Sequence, residues 1–220
     1  MKIILLGAMK EEVSLLRSHL EDVVEEGRAL YTYSRGFYKD HEIILAHTGI
    51  GKVNAALCTQ RLIDLHRPDL VIMVGVAGAI ADLKIGDVVL ATKVAHHDLD
   101  YVFLEKHAPH IDPVQRGYFH ADADLMQNVI HGIASKSYGF KVYSGPMVSG
   151  EQFIDQEGRK EIIEHFDPLT VDMETAGLAH ACYRSQIPFL AIRSITDTEE
   201  ESGDGLLAYG IESPYSTSTR

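Results

Sequence analysis

The 220-residue sequence has no tryptophan, seven prolines and only two cysteines. Cys58 and Cys182 both fall within helical patterns, and nothing about them suggests the disulfide framework typical of small secreted domains. Basic residues are also few, since 20 Lys and Arg stand against 32 Asp and Glu, which gives a net charge of -12. Such acidity disfavours nucleic-acid backbones and anionic membranes as partners, although it says little about small uncharged ligands.

Long hydrophobic runs are missing as well. The longest apolar run covers residues 70–81, which is shorter than the roughly 18 residues that a membrane-spanning helix needs. The apolar stretch after Met1 is too short for a signal peptide, and Glu11 and Glu12 follow it closely. No repeat, linker or low-complexity tract divides the chain. We therefore expect one domain over residues 1–220, located in the cytoplasm, with no membrane partner.

Short runs rich in Ile, Val and Leu recur along the chain and predict strands. They are "IILLG", "EIILAHTG", "DLVIMVG", "DVVLATKV", "FKVYSG" and "PFLAIRSITD". Their near-continuous apolarity is typical of strands covered on both faces. Helical patterns lie between them, over a segment that ends at Pro68 and over residues 125–135 and 157–166. Residues 29–48 predict two antiparallel strands around a turn near Lys39 and Asp40, so the whole pattern predicts an α/β fold with a central mixed sheet.

Two glutamates follow the first predicted strand, in "GAMKEEV". Ligands of α/β sheets bind beyond the carboxyl ends of the strands, and this loop lies there. Glu11 and Glu12 also open a helix, where carboxylates complement the helix dipole. From this stretch alone, the dipole explanation is the stronger hypothesis and a binding role is the alternative.

Two glycine-containing loops come next. "HTGIGKVNAA" precedes a helix, but Ala46 and Val53 break the P-loop pattern, so the stretch predicts a tight turn rather than a nucleotide loop. In "VGVAGAI", Gly75 and Gly78 permit the close approach of a ligand or of another backbone segment. Packing alone explains these two glycines about equally well.

Carboxylates surround a methionine in "LTVDMETAGLAHAC", where Asp172 and Glu174 flank Met173 at a strand-to-helix corner. In "PFLAIRSITD", Asp197 ends a strand, and Arg193 precedes it by an even number of residues. This spacing puts Arg193 and Asp197 on one face if the strand is regular. A buried arginine needs a carboxylate partner, which we expect to be Asp172 or Glu174.

Histidines are dense in the middle of the chain, at positions 96, 97, 107, 110 and 120. The density suggests zinc, but no H-E-x-x-H or comparable ligand spacing is present. His96 and His97 are adjacent, so they would point to opposite faces of a strand. We expect no metal site and surface or loop positions for most of these histidines, with a metal-dependent hydrolase as the remaining alternative.

Taken together, these stretches resemble the 5′-methylthioadenosine/S-adenosylhomocysteine nucleosidases of the purine nucleoside phosphorylase superfamily. The resemblance rests on "GAMKEEV", "TGIGKVNAA", "VGVAGAI", "GDVVLATKVAHHDLD", "VSGEQFI", "VDMETAGLAHAC" and "RSITD", in the family's order. It implies a three-layer α/β/α sandwich with a nucleoside phosphorylase-like mixed sheet. It also implies a homodimer that needs no cofactor and hydrolyses the N-glycosidic bond of methylthioadenosine, S-adenosylhomocysteine or 5′-deoxyadenosine, releasing adenine.

The resemblance also assigns roles to single residues. Asp197 would protonate adenine N7, and Glu12 would orient and deprotonate the attacking water. Glu174 would accept hydrogen bonds from the ribose hydroxyls, with Arg193 holding the water and Glu174 in place. Besides Glu174, the implied substrate-binding residues are Ala8, Met9, Ile50, Val76, Phe153, Ile154 and Met173.

The chain departs from the family pattern within the site. Val76 stands where the family has a small hydroxyl residue, which favours water over phosphate as the nucleophile and makes a phosphorylase less favoured. Asp172 replaces the family's usual glutamate. The segment around Tyr101, Leu104 and Pro113 lacks the family's glycine- and proline-marked loop, so the preferred 5′ substituent stays open. A futalosine or aminodeoxyfutalosine hydrolase is therefore a close alternative.

The tail departs most. After about residue 200 the chain is short, polar and atypical of the family, and we expect it to be loose. Leu206 or Leu207 would replace only part of the helix that covers the site in relatives. We therefore expect either reduced activity, because water would screen Asp197, or a lid taken from elsewhere. A catalytically weak adenine-nucleoside-binding protein is the alternative from another functional class.

Overall fold

The computed structural model describes residues 1–28, 31–107, 117–134, 138–154 and 156–198. The tail with Leu206 and Leu207, Pro113 and the side chain of Tyr101 lie outside this description. The strands are β1 (Lys2–Gly7), β2 (Glu21–Arg28), β3 (Tyr31–Tyr38), β4 (His41–His47), β5 (Leu70–Ala79), β6 (Val88–His96), β7 (Phe119–His120), β8 (Val142–Ser149), β9 (Thr170–Asp172) and β10 (Phe189–Asp197). The helices are α1 (Lys10–Arg17), α2 (Lys52–His66), α3 (Tyr101–His107), α4 (Ala123–Ala134), α5 (Gln156–Phe166) and α6 (Thr175–Ser185).

All of the apolar runs that predict strands are confirmed as strands, in β1, β4, β5, β6, β8 and β10. The antiparallel pair predicted over residues 29–48 is β3 and β4, with Lys39 at positive φ in the turn. The strand β2 was not predicted. It lies at the sheet edge, pairs only with β3 in the described part of the chain and is mostly exposed, so it lacks the apolar pattern of the inner strands.

The sheet is mixed, as predicted, and part of it closes on itself. β1 lies parallel between β4 and β5, and β2, β3 and β4 form an antiparallel edge. β5 pairs with β10, β10 with β6, β6 with β8, β8 with β9, and β9 again with β5. This ring brings the ends of β5, β9 and β10 together.

Helices cover both faces of the sheet. Ile4 and Leu6 of β1 pack in one cluster with residues of α2 and α6. Ile3 and Leu5 alternate with them and pack in another cluster with Val13 of α1. On the ring, Leu90 and Leu190 pack with residues of α4. Because alternate side chains of one strand contact different helices, the three-layer α/β/α prediction is confirmed.

Small residues let α6 pack closely on the start of α2. A Cβ atom added to Gly177 would lie 2.3 Å from the carbonyl oxygen of Lys52. Cys58 of α2 and Cys182 of α6 are buried free thiols. Within the described ranges, no helix is long and apolar enough to cross a membrane.

Candidate active site

Glu12 reaches from the first helix across to a neighbouring strand. Its Oε2 atom accepts hydrogen bonds from the backbone N–H groups of Ala8, at 2.6 Å, and Met9, at 2.9 Å. Its Oε1 atom accepts one from the N–H of Val76, at 3.0 Å. Glu12 therefore caps α1 and joins the end of β1 to β5, which is more than the dipole explanation required. Glu11 is exposed.

Gly75 is the point at which charged groups converge. A Cβ atom at this position would lie 2.4 Å from Arg193 Nη1 and 2.4 Å from Glu12 Oε1. The residue has φ of +148°, which side-chain-bearing residues rarely adopt. Glycine at position 75 thus gives Glu12 and Arg193 access to the same space beside the middle of β5.

Arg193 is fully buried in β10 and surrounded by carboxylates. Its Nη2 atom lies 2.7 Å from Asp172 Oδ2 and 3.5 Å from Glu174 Oε2. Burial opposes its charged form, but Asp172, Glu174 and Glu12 outweigh this and raise the pKa of Arg193. The predicted carboxylate partner is therefore confirmed, and both Asp172 and Glu174 fill that role.

Asp172 is the centre of a buried hydrogen-bond network at the strand-to-helix corner. It accepts hydrogen bonds from the Ser149 and Thr175 hydroxyls. It also accepts from the backbone N–H groups of Glu174, at 3.3 Å, and Thr175, at 3.2 Å. Arg193 Nε donates in turn to Thr175 Oγ1, at 3.1 Å. Sequence reasoning missed Ser149 and Thr175, although both lie inside motifs that were singled out.

The Glu174 carboxylate lies between Arg193 and the backbone of Gly51. Its Oε1 atom accepts a hydrogen bond from the N–H of Gly51, at 3.0 Å, just before α2. Burial raises the pKa of Glu174 to about 7, opposed by the charge of Arg193 and reinforced by Asp172. A carboxyl with this pKa changes its protonation state near neutrality. Met173, the residue before it, is half-buried.

Asp197 ends β10 and is separated from the arginine network. The strand carries one extra residue relative to β5 between Ile195 and Asp197. The even-spacing argument for a face shared by Arg193 and Asp197 is therefore wrong, because β10 is not regular there. Asp197 Oδ2 instead pairs with Nη2 of Arg159, on α5, at 3.0 Å. Burial raises the pKa of Asp197, while Arg159 and Thr196 oppose the rise.

The predicted substrate-binding residues with apolar side chains differ in their exposure. Ala8 is buried, and the others between buried and exposed are Met9, Val76, Ile154 and Met173. The side chain of Ile154 packs against the apolar cluster that includes Ile162 and Val171. Ile50 and Phe153 are 43% and 69% exposed, respectively, and present apolar surface to solvent.

A polar clasp connects three loops near these residues. Lys52 Nζ bonds to Asp98. Asp98 Oδ2 accepts a hydrogen bond from the N–H of Glu151, at 3.0 Å. Glu151 Oε1 accepts one from the N–H of Val53, at 3.2 Å. The clasp holds the first turn of α2, directly after Gly51, whose N–H donates to Glu174.

The described histidines of this group divide between half-buried and exposed positions. His107 and His120 are exposed, as expected, and His110 lies outside the described residues. His96 packs edge-on against Phe119, and burial lowers its pKa to about 4. His96 is therefore an exception to the surface or loop positions expected for most of these histidines. In the part of the chain that the structure describes, no group of three or more His, Cys, Asp or Glu residues is arranged to hold a metal ion.

The chain is similar in sequence to a known family and to named relatives. Residues 2–210 match the family model described as the Phosphorylase superfamily. A protein of Exiguobacterium sp. named 5′-methylthioadenosine/S-adenosylhomocysteine nucleosidase is 37% identical over 207 residues, covering 93% of this chain and 88% of the relative.

Two solved structures have the same fold. A nucleosidase of this name from Colwellia psychrerythraea, in complex with adenine, superposes with a TM-score of 0.86 at 33% identity, covering 95% of this chain and 88% of the other. A futalosine hydrolase mutant of Helicobacter pylori superposes with a TM-score of 0.84 at 29% identity, covering 94% and 91%, respectively.

Proposed function

Since the chain belongs to the 5′-methylthioadenosine/S-adenosylhomocysteine nucleosidase family of the phosphorylase superfamily, we propose that it hydrolyses the N-glycosidic bond of an adenine nucleoside. The substrates are 5′-methylthioadenosine, S-adenosylhomocysteine or 5′-deoxyadenosine, and the products are adenine and the ribose compound. The observation that carries this proposal is the convergence of Glu12 and Arg193 on Gly75, with Glu174 paired to the same arginine.

Asp197 is the proposed general acid. Adenine leaves poorly until N7 carries a proton, so a protonated carboxyl must be available near neutral pH. The burial that raises the pKa of Asp197 acts in this direction. The proton moves from Asp197 to N7, and the C1′–N9 bond breaks with its electron pair on adenine.

Glu12 is the proposed base for the attacking water. As the water oxygen bonds to C1′, its proton passes to the Glu12 carboxylate. The N–H groups of Ala8, Met9 and Val76 hold this carboxylate in one position, which reduces the entropy lost on reaching the reactive geometry. Arg193 converges with Glu12 at Gly75 and is proposed to hold the same water.

Glu174 is the proposed ribose ligand. Its carboxylate accepts hydrogen bonds from the sugar hydroxyls, in a position set by Gly51 and Arg193. The other contacts follow the same assignment, with Met173 beneath the sugar, Phe153 on the adenine face and the backbone of Ile154 at the adenine edge. Ala8, Met9, Ile50 and Val76 line the space around the ribose and its 5′ group.

A futalosine or aminodeoxyfutalosine hydrolase is the second candidate. The similarity to the Helicobacter pylori futalosine hydrolase mutant supports it, because the two chains share this fold. Val76 lacks a hydroxyl that would bind phosphate, so water remains the nucleophile in both candidates. Competition between nucleosides that differ in the base or in the 5′ group separates them.

A homodimer and a cytoplasmic location belong to the same proposal, as does a single nucleosidase domain over residues 1–220. Exposed apolar side chains support the dimer. Val53 and Leu57 are one helical turn apart on α2, and Leu99 and Phe103 are exposed in and before α3. Light scattering during size exclusion tests the dimer, and a monomeric mass at micromolar concentration would contradict it.

The proposed function is tested by adenine release from a panel of nucleosides in phosphate-free buffer. Release from methylthioadenosine, S-adenosylhomocysteine or 5′-deoxyadenosine, with no gain on adding phosphate, is the expected result. Strict dependence on phosphate would indicate a phosphorylase. Nucleoside binding without adenine release would indicate a binding protein instead.

A further inference from the structure

Arg159 is a buried arginine that the proposed mechanism does not use. It lies on α5 with only 8% of its surface exposed. Its Nη2 atom donates to Asp197 Oδ2 at 3.0 Å, and its Nη1 atom donates to the carbonyl oxygen of Ala79. One guanidinium thus bridges the last residue of β5 and the last residue of β10.

This ion pair differs from a surface pair in its environment. The two side chains are 10% and 14% exposed, so water screens their attraction weakly. The second hydrogen bond, to Ala79, fixes the guanidinium and limits its drift from the carboxylate. Gly78 leaves the necessary space, because a Cβ atom there would lie 2.7 Å from Asp197 Oδ2.

Arg159 is also the charged neighbour of Asp197 among the residues that the structure describes. The facing part of β5 presents Gly78 and Ala79, which carry no charge. On its own strand, Asp197 receives a hydrogen bond from the Thr196 hydroxyl at 3.3 Å. Within the described ranges, Arg159 is therefore the charged side chain that acts on the Asp197 carboxylate.

We propose that Arg159 is a positioning residue that orients the Asp197 carboxyl and stabilises the carboxylate left after proton donation. The inference rests on the proposed function, in which Asp197 passes its proton to adenine N7. The guanidinium keeps its own protons throughout, since arginine stays charged in proteins. Arg159 thereby makes Asp197 a stronger acid than burial alone would make it.

The test compares Arg159→Met with Lys160→Met, which removes an exposed positive charge from the next residue of the same helix. The readout is the pH dependence of kcat/KM for adenine release. Activity needs protonated Asp197, and loss of the Arg159 charge raises the pKa of Asp197. The alkaline limb of the kcat/KM profile therefore moves to higher pH in Arg159→Met, by about 1 unit or more. The weaker acid also lowers kcat roughly tenfold. Lys160→Met keeps the parent pH profile. In Arg159→Lys, which retains a positive charge, the alkaline limb lies between that of the parent and that of Arg159→Met.

A second measurement does not depend on catalysis. In protein with ¹³C-labelled aspartate carboxyls, the Asp197 signal, assigned by its absence from Asp197→Asn, titrates at higher pH in Arg159→Met than in the parent. An unchanged titration, or an unmoved alkaline limb in a folded variant, would overturn the role of Arg159. A parent that releases no adenine while the titration shifts would count against the proposed function and leave the pairing established.

Discussion

Arg193 Nη2 and Asp172 Oδ2 lie 2.7 Å apart, in an ion pair whose side chains are 0% and 2% exposed, respectively. Glu174 Oε2 is farther from the same nitrogen, at 3.5 Å. Burial raises the pKa of Glu174, the more distant charge of Arg193 opposes the rise, and the nearby Asp172 carboxylate adds to it. The arrangement makes Asp172 the nearer carboxylate partner of Arg193 and Glu174 the more distant one.

Asp172→Asn removes the carboxylate nearest to a fully buried arginine. Breaking a buried ion pair leaves a poorly compensated charge, so the free energy of unfolding falls by about 3 kcal/mol. Urea denaturation measures this loss, and Glu11→Gln, at an exposed site, serves as the control with little expected change. Equal stability of Asp172→Asn and the parent would show that Glu174 and Glu12 suffice to compensate Arg193.

Gly75→Ala places a Cβ atom where Glu12 and Arg193 meet. Contacts of 2.4 Å cannot persist, so both side chains must move, and kcat/KM falls by about 100-fold or more. The matched control is Gly132→Ala on α4, where nothing lies within 4 Å of the new atom. This control keeps its activity and gains about 0.5–1 kcal/mol in the free energy of unfolding. Normal activity of Gly75→Ala would contradict the convergence.

The raised pKa of Glu174 predicts a pH-dependent contribution to stability. Its folded pKa of about 7 exceeds the ordinary value of 4.5. The contribution is therefore fully present below about pH 4.5 and is lost as pH rises to 7, by an amount on the order of 3 kcal/mol. His96, with its lowered pKa, acts in the opposite direction, so only the difference between the parent and Glu174→Gln isolates the effect.

Chemical denaturation at pH 5 and at pH 7.5 measures that difference. The parent is expected to lose stability relative to Glu174→Gln as the pH rises. A difference that does not change with pH would show that Glu174 is already ionised at pH 5 in the ligand-free protein.

Local pattern predicted most of the frame because burial on both faces demands apolar strands. The runs "IILLG" and "DLVIMVG" form β1 and β5 for this reason. The strand-to-helix corner at residues 172–174 was predicted because a short apolar stretch ends there and a helical pattern begins. The edge strand β2 escaped prediction because it buries little. Its pairing with β3 depends on backbone hydrogen bonds, which carry no side-chain pattern.

Site contacts were predictable only where they lie within a motif. Asp172 and Arg193 belong to recognisable stretches, and their pairing followed from the need to neutralise a buried charge. Arg159 belongs to a helix that was predicted but contains no functional motif. Its contact with Asp197 depends on how α5 packs over the sheet. The extra residue in β10 likewise depends on pairing with β5, which a single strand's spacing does not encode.

The most direct test of the account is adenine release from methylthioadenosine by the parent, by Asp197→Asn and by Asp122→Asn, all in phosphate-free buffer. Asp122 is the matched control, because its carboxylate accepts a hydrogen bond from the N–H of Leu125 near the start of α4, outside the proposed site. The account predicts release by the parent and by Asp122→Asn, and a loss of about 10²- to 10⁴-fold in Asp197→Asn. Parent-level release by a folded Asp197→Asn variant would contradict the role of Asp197 as the acid that drives hydrolysis.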